Sequence, residues 1–442
     1  MPTTSQRREH ITDIITVAIA AVEPANCVRR SLSLQGDALR VRDRSYDLDQ
    51  IDRIVVLGAG KGSAAMAAGL EEVLGSRISS GRVAVKYGHT HPLERVEVGE
   101  AGHPVPDAAG VNEAETALRI AAEAGVNDLV FCLISGGGSA LWPAPTDGIT
   151  LDEKQATTKL LLGCGASIDE INAVRKHISS IKGGQLAKAV APAQLIGLML
   201  SDVIGDRLDV IASGPTTPDD HQFADAWGIL EKYRLQSKVP PSVREYIERG
   251  MEGEVAETPK RDDPVFQRVQ NVVVGSNAAA LQAASEAATA RGYNTRIVTS
   301  ERSGDTSDLA REVTETVAQF RGKTSPTCLL WGGETTVVLC DDPGEGGRNQ
   351  QLALAVAQAI DGRDDVTFAS IGTDGTDGPT DAAGGIVDGG TLSTARDQHL
   401  DPSDHLKRND AYPLLKACGD LVVMGPTNTN VMDVQVLLLG GE

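Results

Sequence analysis

Lys61 lies between two glycines in Gly58-Ala-Gly-Lys-Gly-Ser63, directly after the apolar run Arg53-Ile-Val-Val-Leu-Gly58. A loop joining a buried strand to a helix can turn its backbone N–H groups on an anion at the helix N-terminus. Two standard fingerprints do not fit. A dinucleotide loop needs G-x-G-x-x-G and an acid about 20 residues further on; here Ser63 holds the third glycine position and the next expected strand ends in Lys86-Tyr87. A Walker A loop needs G-x-x-x-x-G-K-[ST], but Val55 replaces its first glycine and Gly62 follows the lysine. What remains is a cation in a phosphate-sized cradle that includes Gly60 and Gly62, or, more plainly, a tight turn with a solvated lysine.

A second glycine loop follows the apolar run ending at Ile134: Ser135, Gly136, Gly137, Gly138 and Ser139. Three successive glycines allow the backbone to approach a ligand closely, and a flexible turn is the alternative. Next, Arg175-Lys-His-Ile-Ser-Ser-Ile-Lys182 puts four potential cations into eight residues of an acidic chain. A solvated face explains such a cluster less well than an anion does. His177 by itself reads as a packing or capping residue. Asp202 and Asp206, in Leu200-Ser-Asp-Val-Ile-Gly-Asp206, follow another apolar run. A carboxylate there can take a proton from a hydroxyl, hold a divalent ion or cap a helix.

Further along, Gly346-Gly-Arg-Asn349 opens a helical pattern. Arg348 opposes the helix dipole there, which a bound anion would make tolerable. Asp374, Asp377 and Asp381 fall in Gly372-Thr-Asp-Gly-Thr-Asp-Gly-Pro-Thr-Asp381 without EF-hand spacing, so they assist Mg²⁺ or form turns. Asn428 and Asn430 lie in a polar loop before the last strand; they bind ligand or tie the turn.

These groups must be carried by strand–helix alternation. Strands are expected at 53–58, 82–87, 128–134 and 194–200, with helices at 8–22, 61–74, 111–124, 152–162 and 168–178. That order indicates a parallel sheet covered on both faces, with both glycine loops at its strand ends. The prolines of Lys238-Val-Pro-Pro241 and the polar stretch 252–264 break the pattern, so a domain boundary is placed near Pro240, separating 1–240 from 241–442. Beyond it, strands are expected at 271–275, 295–298, 328–331, 337–339, 366–371 and 434–439, with helices at 278–291 and 349–360. A hairpin around Gly332-Gly333 would make this second sheet mixed.

Composition narrows the function class. The chain has 442 residues, 41% hydrophobic, and a formal charge of −20. Binding to nucleic acid or to an anionic membrane needs a basic face, and no apolar run reaches the roughly 20 residues of a membrane span. No secretory signal is visible at the N-terminus. The six cysteines form no CxxC pair, as expected of thiols in a reducing cytoplasm. With 28 Arg against 13 Lys, the acidic surface fits either a high-salt cytoplasm or a merely acidic cytosolic enzyme.

Taken together, the motifs resemble the class II glycerate kinases, the glycerate 2-kinase family with a MOFRL-type C-terminal domain. The matching pieces, in order, are GAGKGSA (58–64), GHPVPD (102–107), SGGGSAL (135–141), RKHISSIKGGQLA (175–187), LSDVIGD (200–206), ASGPT (212–216), GGET (332–335), GGRNQ (346–350), GTDGTDGPTDAAG (372–384) and GPTNTNVMD (425–433). At Asn428 many relatives carry a different small residue. The resemblance implies two three-layer α/β/α domains, a Rossmann-like one and a smaller C-terminal one, with the active site in the cleft between them. It implies ATP-dependent phosphorylation of D-glycerate at its C2 hydroxyl with Mg²⁺. The family's catalytic Lys, Asp and Arg fall on Lys61, Asp202 and Arg348. In that scheme Lys61 neutralises the transferring phosphate, Arg348 clamps phosphate or carboxylate, and Asp202 accepts the hydroxyl proton. Asp206, Asp374 and Asp377 support the metal. The 135–139 loop, Lys182 and Asn428 hold substrate or phosphate oxygens. A cytoplasmic homodimer with small-molecule substrates is expected. The competing classes are an NAD(P)H-dependent hydroxypyruvate reductase and a non-catalytic binding module for a small organic acid.

Overall fold

The computed structural model describes residues 2–320 and 325–440. Two compact units emerge. One comprises Pro24–Ser201 and Asp206–Val274, and is called the glycine-loop unit; the other comprises Met1–Glu23, Asp202–Gly205 and Gly275–Glu442.

The glycine-loop unit begins with an antiparallel meander absent from the sequence reading: β1 (Leu32–Gln35), β2 (Ala38–Val41) and β3 (Arg44–Asp47). Its main sheet contains β4 (Ile54–Ala59), β5 (Ile78–Lys86), β6 (Val96–Ala101), β7 (Leu129–Ile134), β8 (Gln194–Leu200) and β9 (Val269–Gly275), in the order β6-β5-β4-β7-β8-β9. The pairings β4–β5, β4–β7, β5–β6 and β7–β8 are parallel. Every residue of β4 and β7 is buried, as the continuous apolar runs of central parallel strands require. The chain builds outward from β4 to β6, then returns to place β7 on the other side of β4. Strand order therefore reverses between β4 and β7, the place where open parallel sheets bind ligands.

The division of the chain falls elsewhere than at Pro240. The helix Pro241–Met251 buries Val243 and Ile247 with Ile171 and Val174 of the helix Ile168–His177 and with Phe223 and Leu230 of Phe223–Lys232. The strand read at 271–275 is the edge of this first sheet rather than the start of the second. Prolines 240 and 241 begin a helix, as proline at a first turn can, so they punctuate the chain without separating the units.

The other unit contains β10 (Asn294–Arg302), β11 (Thr327–Gly333), β12 (Val366–Gly372), β13 (Gly384–Asp388), β14 (Leu421–Val422) and β15 (Asp433–Leu439), in the order β10-β11-β15-β12-β13-β14. Only β10–β11 is parallel; β15 inserts antiparallel between β11 and β12. The sheet is mixed, but not through a hairpin at Gly332-Gly333. Residues 337–339 form no strand, and Val338 and Leu339 are exposed. The N-terminal helix Thr4–Ala21 belongs here too: buried Arg7 donates to Thr367 Oγ1 of β12 at 3.1 Å. Among the described residues no single helix is long and apolar enough to cross a membrane.

Candidate active site

Parallel pairing brings Ala59 and Ile134 side by side, so the two glycine loops leave the sheet as neighbours and are laced together. Lys61 N–H donates to Gly136 O at 2.9 Å, Gly62 N–H to Ser135 Oγ at 2.9 Å, and Ser63 Oγ to Leu133 O at 3.0 Å. Gly60 N–H donates to Ala84 O at 3.1 Å. A Cβ on Gly60 would stand 2.1 Å from Ser135 Oγ, so only glycine permits this approach. The outcome corrects one expectation: the Gly60 and Gly62 amides already serve protein acceptors, and these residues shape the cradle without offering N–H groups to an anion. Gly136 and Gly137 donate nothing to this lacing.

Gly137, at φ +86°, lets two side chains come close: a Cβ there would lie 2.8 Å from His103 Cδ2 and 3.6 Å from Lys61 Cγ. His103 is held down to about 4, first by burial and then by the charges of Lys61, Lys86 and His89. It is therefore a neutral imidazole beside Lys61 at neutral pH. Its only sequence signal was its place in the GHPVPD match.

At the other end of the second loop, Ser139 gathers cations. Arg175 donates to Ser139 Oγ, and Lys182 Nζ donates to Ser139 O at 2.8 Å and Oγ at 3.0 Å. Lys154, on the helix Leu151–Gly163, joins them as an electrostatic neighbour of both; its Nζ donates to Ile178 O at 2.7 Å. The basic segment at 175–182 thus splits. Lys176 pairs with Asp219 at 3.3 Å, and His177 Nε2 meets Glu257 Oε2 at 3.1 Å, which confirms His177 as a packed residue. Arg175 and Lys182 turn instead to Ser139. Lys154 was missed because nothing in an exposed-looking helical pattern marks a buried lysine.

In the other unit, three strand ends meet at Asp433. It is the register partner of Gly333 on β11 and of Gly372 on β12. The loops carrying GGET, GTDG and GPTNTNVMD therefore converge on one carboxylate. Arg348 Nε and Nη2 donate to its two oxygens at 2.6 and 2.8 Å, and Arg348 Nη1 lies 3.0 Å from Glu334. Burial opposes the charge on Arg348, but Asp433 and Glu334 outweigh it and hold the guanidinium above its usual range. The anion that makes Arg348 tolerable at a helix start is thus internal, and its fork is already occupied. Asp433 closed a recognised motif, yet nothing in the spacing tied it to Arg348.

Asp377 corrects a second expectation. Its oxygens accept from the backbone N–H of Asn349 at 3.1 Å and of Gln350 at 2.9 Å, and from Asn349 Nδ2 at 3.2 Å. It caps the helix Arg348–Ala359, and burial, opposed by those donors, raises it to about 6. A carboxylate spent in this way is poorly placed to hold a metal. Asp374 is less buried and accepts from Thr376 N–H and Oγ1, both at 3.1 Å. Thr427 N–H donates to Asp374 O at 3.3 Å, which puts exposed Asn428, at φ +60°, next to that turn. Asp202 packs with this unit, whereas Asp206, at φ +51°, packs with the glycine-loop unit. Among the described residues no three His, Cys, Asp or Glu side chains gather into a metal cage. A Mg²⁺ ion needs only one or two carboxylates when substrate phosphates supply the rest; of the two, Asp374 is the less buried and Asp377 is the one spent on a helix cap.

Two family models match the chain. A domain of unknown function, DUF4147, matches residues 10–248, and the MOFRL family matches residues 327–433. The glycerate 2-kinase of Pyrococcus horikoshii is 41% identical, with 96% of each chain covered. The D-glycerate 2-kinase of Thermotoga maritima is 40% identical, with 97% of each chain covered. A crystal structure of glycerate kinase from Thermotoga maritima superposes with a TM-score of 0.88 at 39% identity, over 98% of this chain and 100% of the other.

Proposed function

The chain belongs to the glycerate 2-kinase family with a MOFRL domain, and from that premise we propose that it transfers the γ-phosphoryl group of ATP to the C2 hydroxyl of D-glycerate, releasing ADP and 2-phosphoglycerate. One observation carries the reading. A single glycine turn after β7 meets the Lys61 loop at one end and the cations Arg175 and Lys182 at the other. Two anionic groups of a small substrate pair can be held on either side of such a turn.

Phosphoryl transfer asks the protein for charge neutralisation and in-line positioning rather than covalent chemistry. Lys61, anchored through its backbone to Gly136, neutralises the transferring phosphate. Asp202 accepts the proton of the C2 hydroxyl as the new P–O bond forms. Arg348, held rigid by Asp433, keeps one nitrogen shared with Glu334 and supplies fixed positive charge. Asp374 is the carboxylate that would hold Mg²⁺, which when bound would supply charge screening for the nucleotide phosphates. Lys182, the 135–139 loop and Asn428 position substrate oxygens.

The direct test is incubation with ATP, Mg²⁺ and D-glycerate, followed by identification of the phosphorylated isomer by ³¹P NMR. Formation of 2-phosphoglycerate with equimolar ADP is expected. Consumption of NADH or NADPH with hydroxypyruvate and no ATP would instead make the protein a reductase. The departures from the dinucleotide fingerprint at Ser63 and Lys86 argue against that. Binding of glycerate without ADP release would make it a binding module.

A further inference from the structure

We propose that Ser139, Lys154, Arg175 and Lys182, with Asn172 as a neutral donor, form the subsite that binds the carboxylate of the acceptor acid. The identity of that acid rests on the proposed kinase activity.

The three cations come from three different segments of the glycine-loop unit, and Lys182 and Lys154 are only 1% and 5% exposed. Their hydrogen-bond partners are neutral oxygens: Ser139 O, Ser139 Oγ and Ile178 O. No carboxylate among the described residues contributes to the electrostatics of any of the three. Burying like charges without a counterion is costly. The neighbouring Lys176 has its counterion in Asp219, so this fold can supply one where none is needed from outside. The anion that completes the Ser139 cluster must come from solution.

Two further features point to the same spot. Asn172 Oδ1 accepts from Ser213 Oγ at 3.0 Å, while Asn172 Nδ2 is buried with no partner. Ser213 Oγ lies 3.0 Å from Ser139 Oγ, held there by a backbone with φ +51° at Ala212 and +61° at Ser213. Left-handed non-glycine residues in succession are strained and persist where function holds them. Access is open: a cavity of about 630 Å³ reaches Ser139, Lys154 and Arg175 past Pro104, Ala140 and Leu151.

The donor geometry favours a carboxylate over a phosphate. Burial, reinforced by mutual repulsion, holds Lys154 and Lys182 well below the usual lysine range, whereas burial lowers Arg175 only to about 10. A guanidinium fork can grip a planar carboxylate at two points, and the unpartnered Asn172 Nδ2 adds a neutral donor nearby. Lys61, across the same glycine turn, is left to the phosphate.

The test uses the full-length enzyme and the variants Arg175→Lys, Arg175→Met and Lys182→Met, with thermal melts to establish folding. Loss of charge-assisted hydrogen bonds should raise the KM for D-glycerate by about 10- to 100-fold and leave the KM for ATP within about twofold. Discrimination for D-glycerate over glycerol, which has no carboxylate, should fall by the same factor. Arg175→Lys should recover part of the loss if Arg175→Met does not fold. A rise in KM for ATP with D-glycerate unaffected would assign the cluster to nucleotide phosphate and overturn the proposal. If wild-type enzyme phosphorylates no glycerate, the kinase reading fails on its own, and calorimetric titration with D-glycerate or inorganic phosphate still decides the subsite. Glycerate binding weakened in Lys182→Met supports it; unchanged binding, or binding of phosphate alone, overturns it.

Discussion

Arg348 grips Asp433 through two parallel hydrogen bonds, Nε to Oδ2 at 2.6 Å and Nη2 to Oδ1 at 2.8 Å, although Asp433 is wholly buried. Removing one partner of such a pair strands the other's charge at a cost of about 3–5 kcal/mol. Arg348→Ala is therefore expected to lower both turnover and stability. The double variant Arg348→Ala with Asp433→Asn should regain much of the stability and none of the activity. Chemical denaturation beside turnover assays separates the two effects. An unchanged midpoint in the single variant would mean the pair does not stabilise this unit.

Lys61→Ala should lower turnover by about 100-fold or more, the scale of losing one preorganised charge. The loop itself is held by backbone N–H donation from Lys61 and Gly62, so the melting temperature should barely move. Near-normal turnover would remove Lys61 from the mechanism.

Asp202→Asn should show a comparable loss and flatten the acidic limb of the pH–rate profile, because the proton acceptor is gone. An unchanged rate and profile would show that another group takes the hydroxyl proton, with neutral His103 the first to examine.

Asp374 and Asp377 should part company. Asp377→Ala removes a helix cap worth about 1–2 kcal/mol and should leave the Mg²⁺ concentration for half-maximal activity unchanged. Asp374→Asn should raise that concentration with little effect on stability. The reverse pattern would return Asp377 to the metal.

His103 sets a pH dependence. Burial foremost, then Lys61, Lys86 and His89, lower it from an ordinary 6.5 to about 4. Between those values the unfolded chain binds more protons than the folded one, so stability rises with pH across that window. The benefit is complete above about 6.5 and is lost as pH falls towards 4. His103→Asn should make melting temperature less steep in pH over that range; parallel curves for the two proteins would contradict the burial argument.

The amino-acid sequence by itself showed the strand–helix alternation around the buried strands β4, β7 and β8, the two glycine loops and the basic segment, because period, apolar runs and glycine spacing are local properties; the meander β1–β3 and the absence of a strand at 337–339 were not legible in it. It also carried the family, since ten short motifs in order are specific where each one is not. Which of those residues face each other was decided by tertiary structure. Asp433 stands opposite Gly333 and Gly372 only because β15 inserts antiparallel between two strands more than 30 residues apart in sequence. Asp377 reads as a metal ligand in a loop and becomes a cap once the helix starting at Arg348 is packed against it. Lys154 and His103 gain meaning only from burial beside other cations. Charge and hydrogen-bonding capacity are written in the chain, but whether a group is spent internally or left for a ligand depends on neighbours that arrive from distant segments.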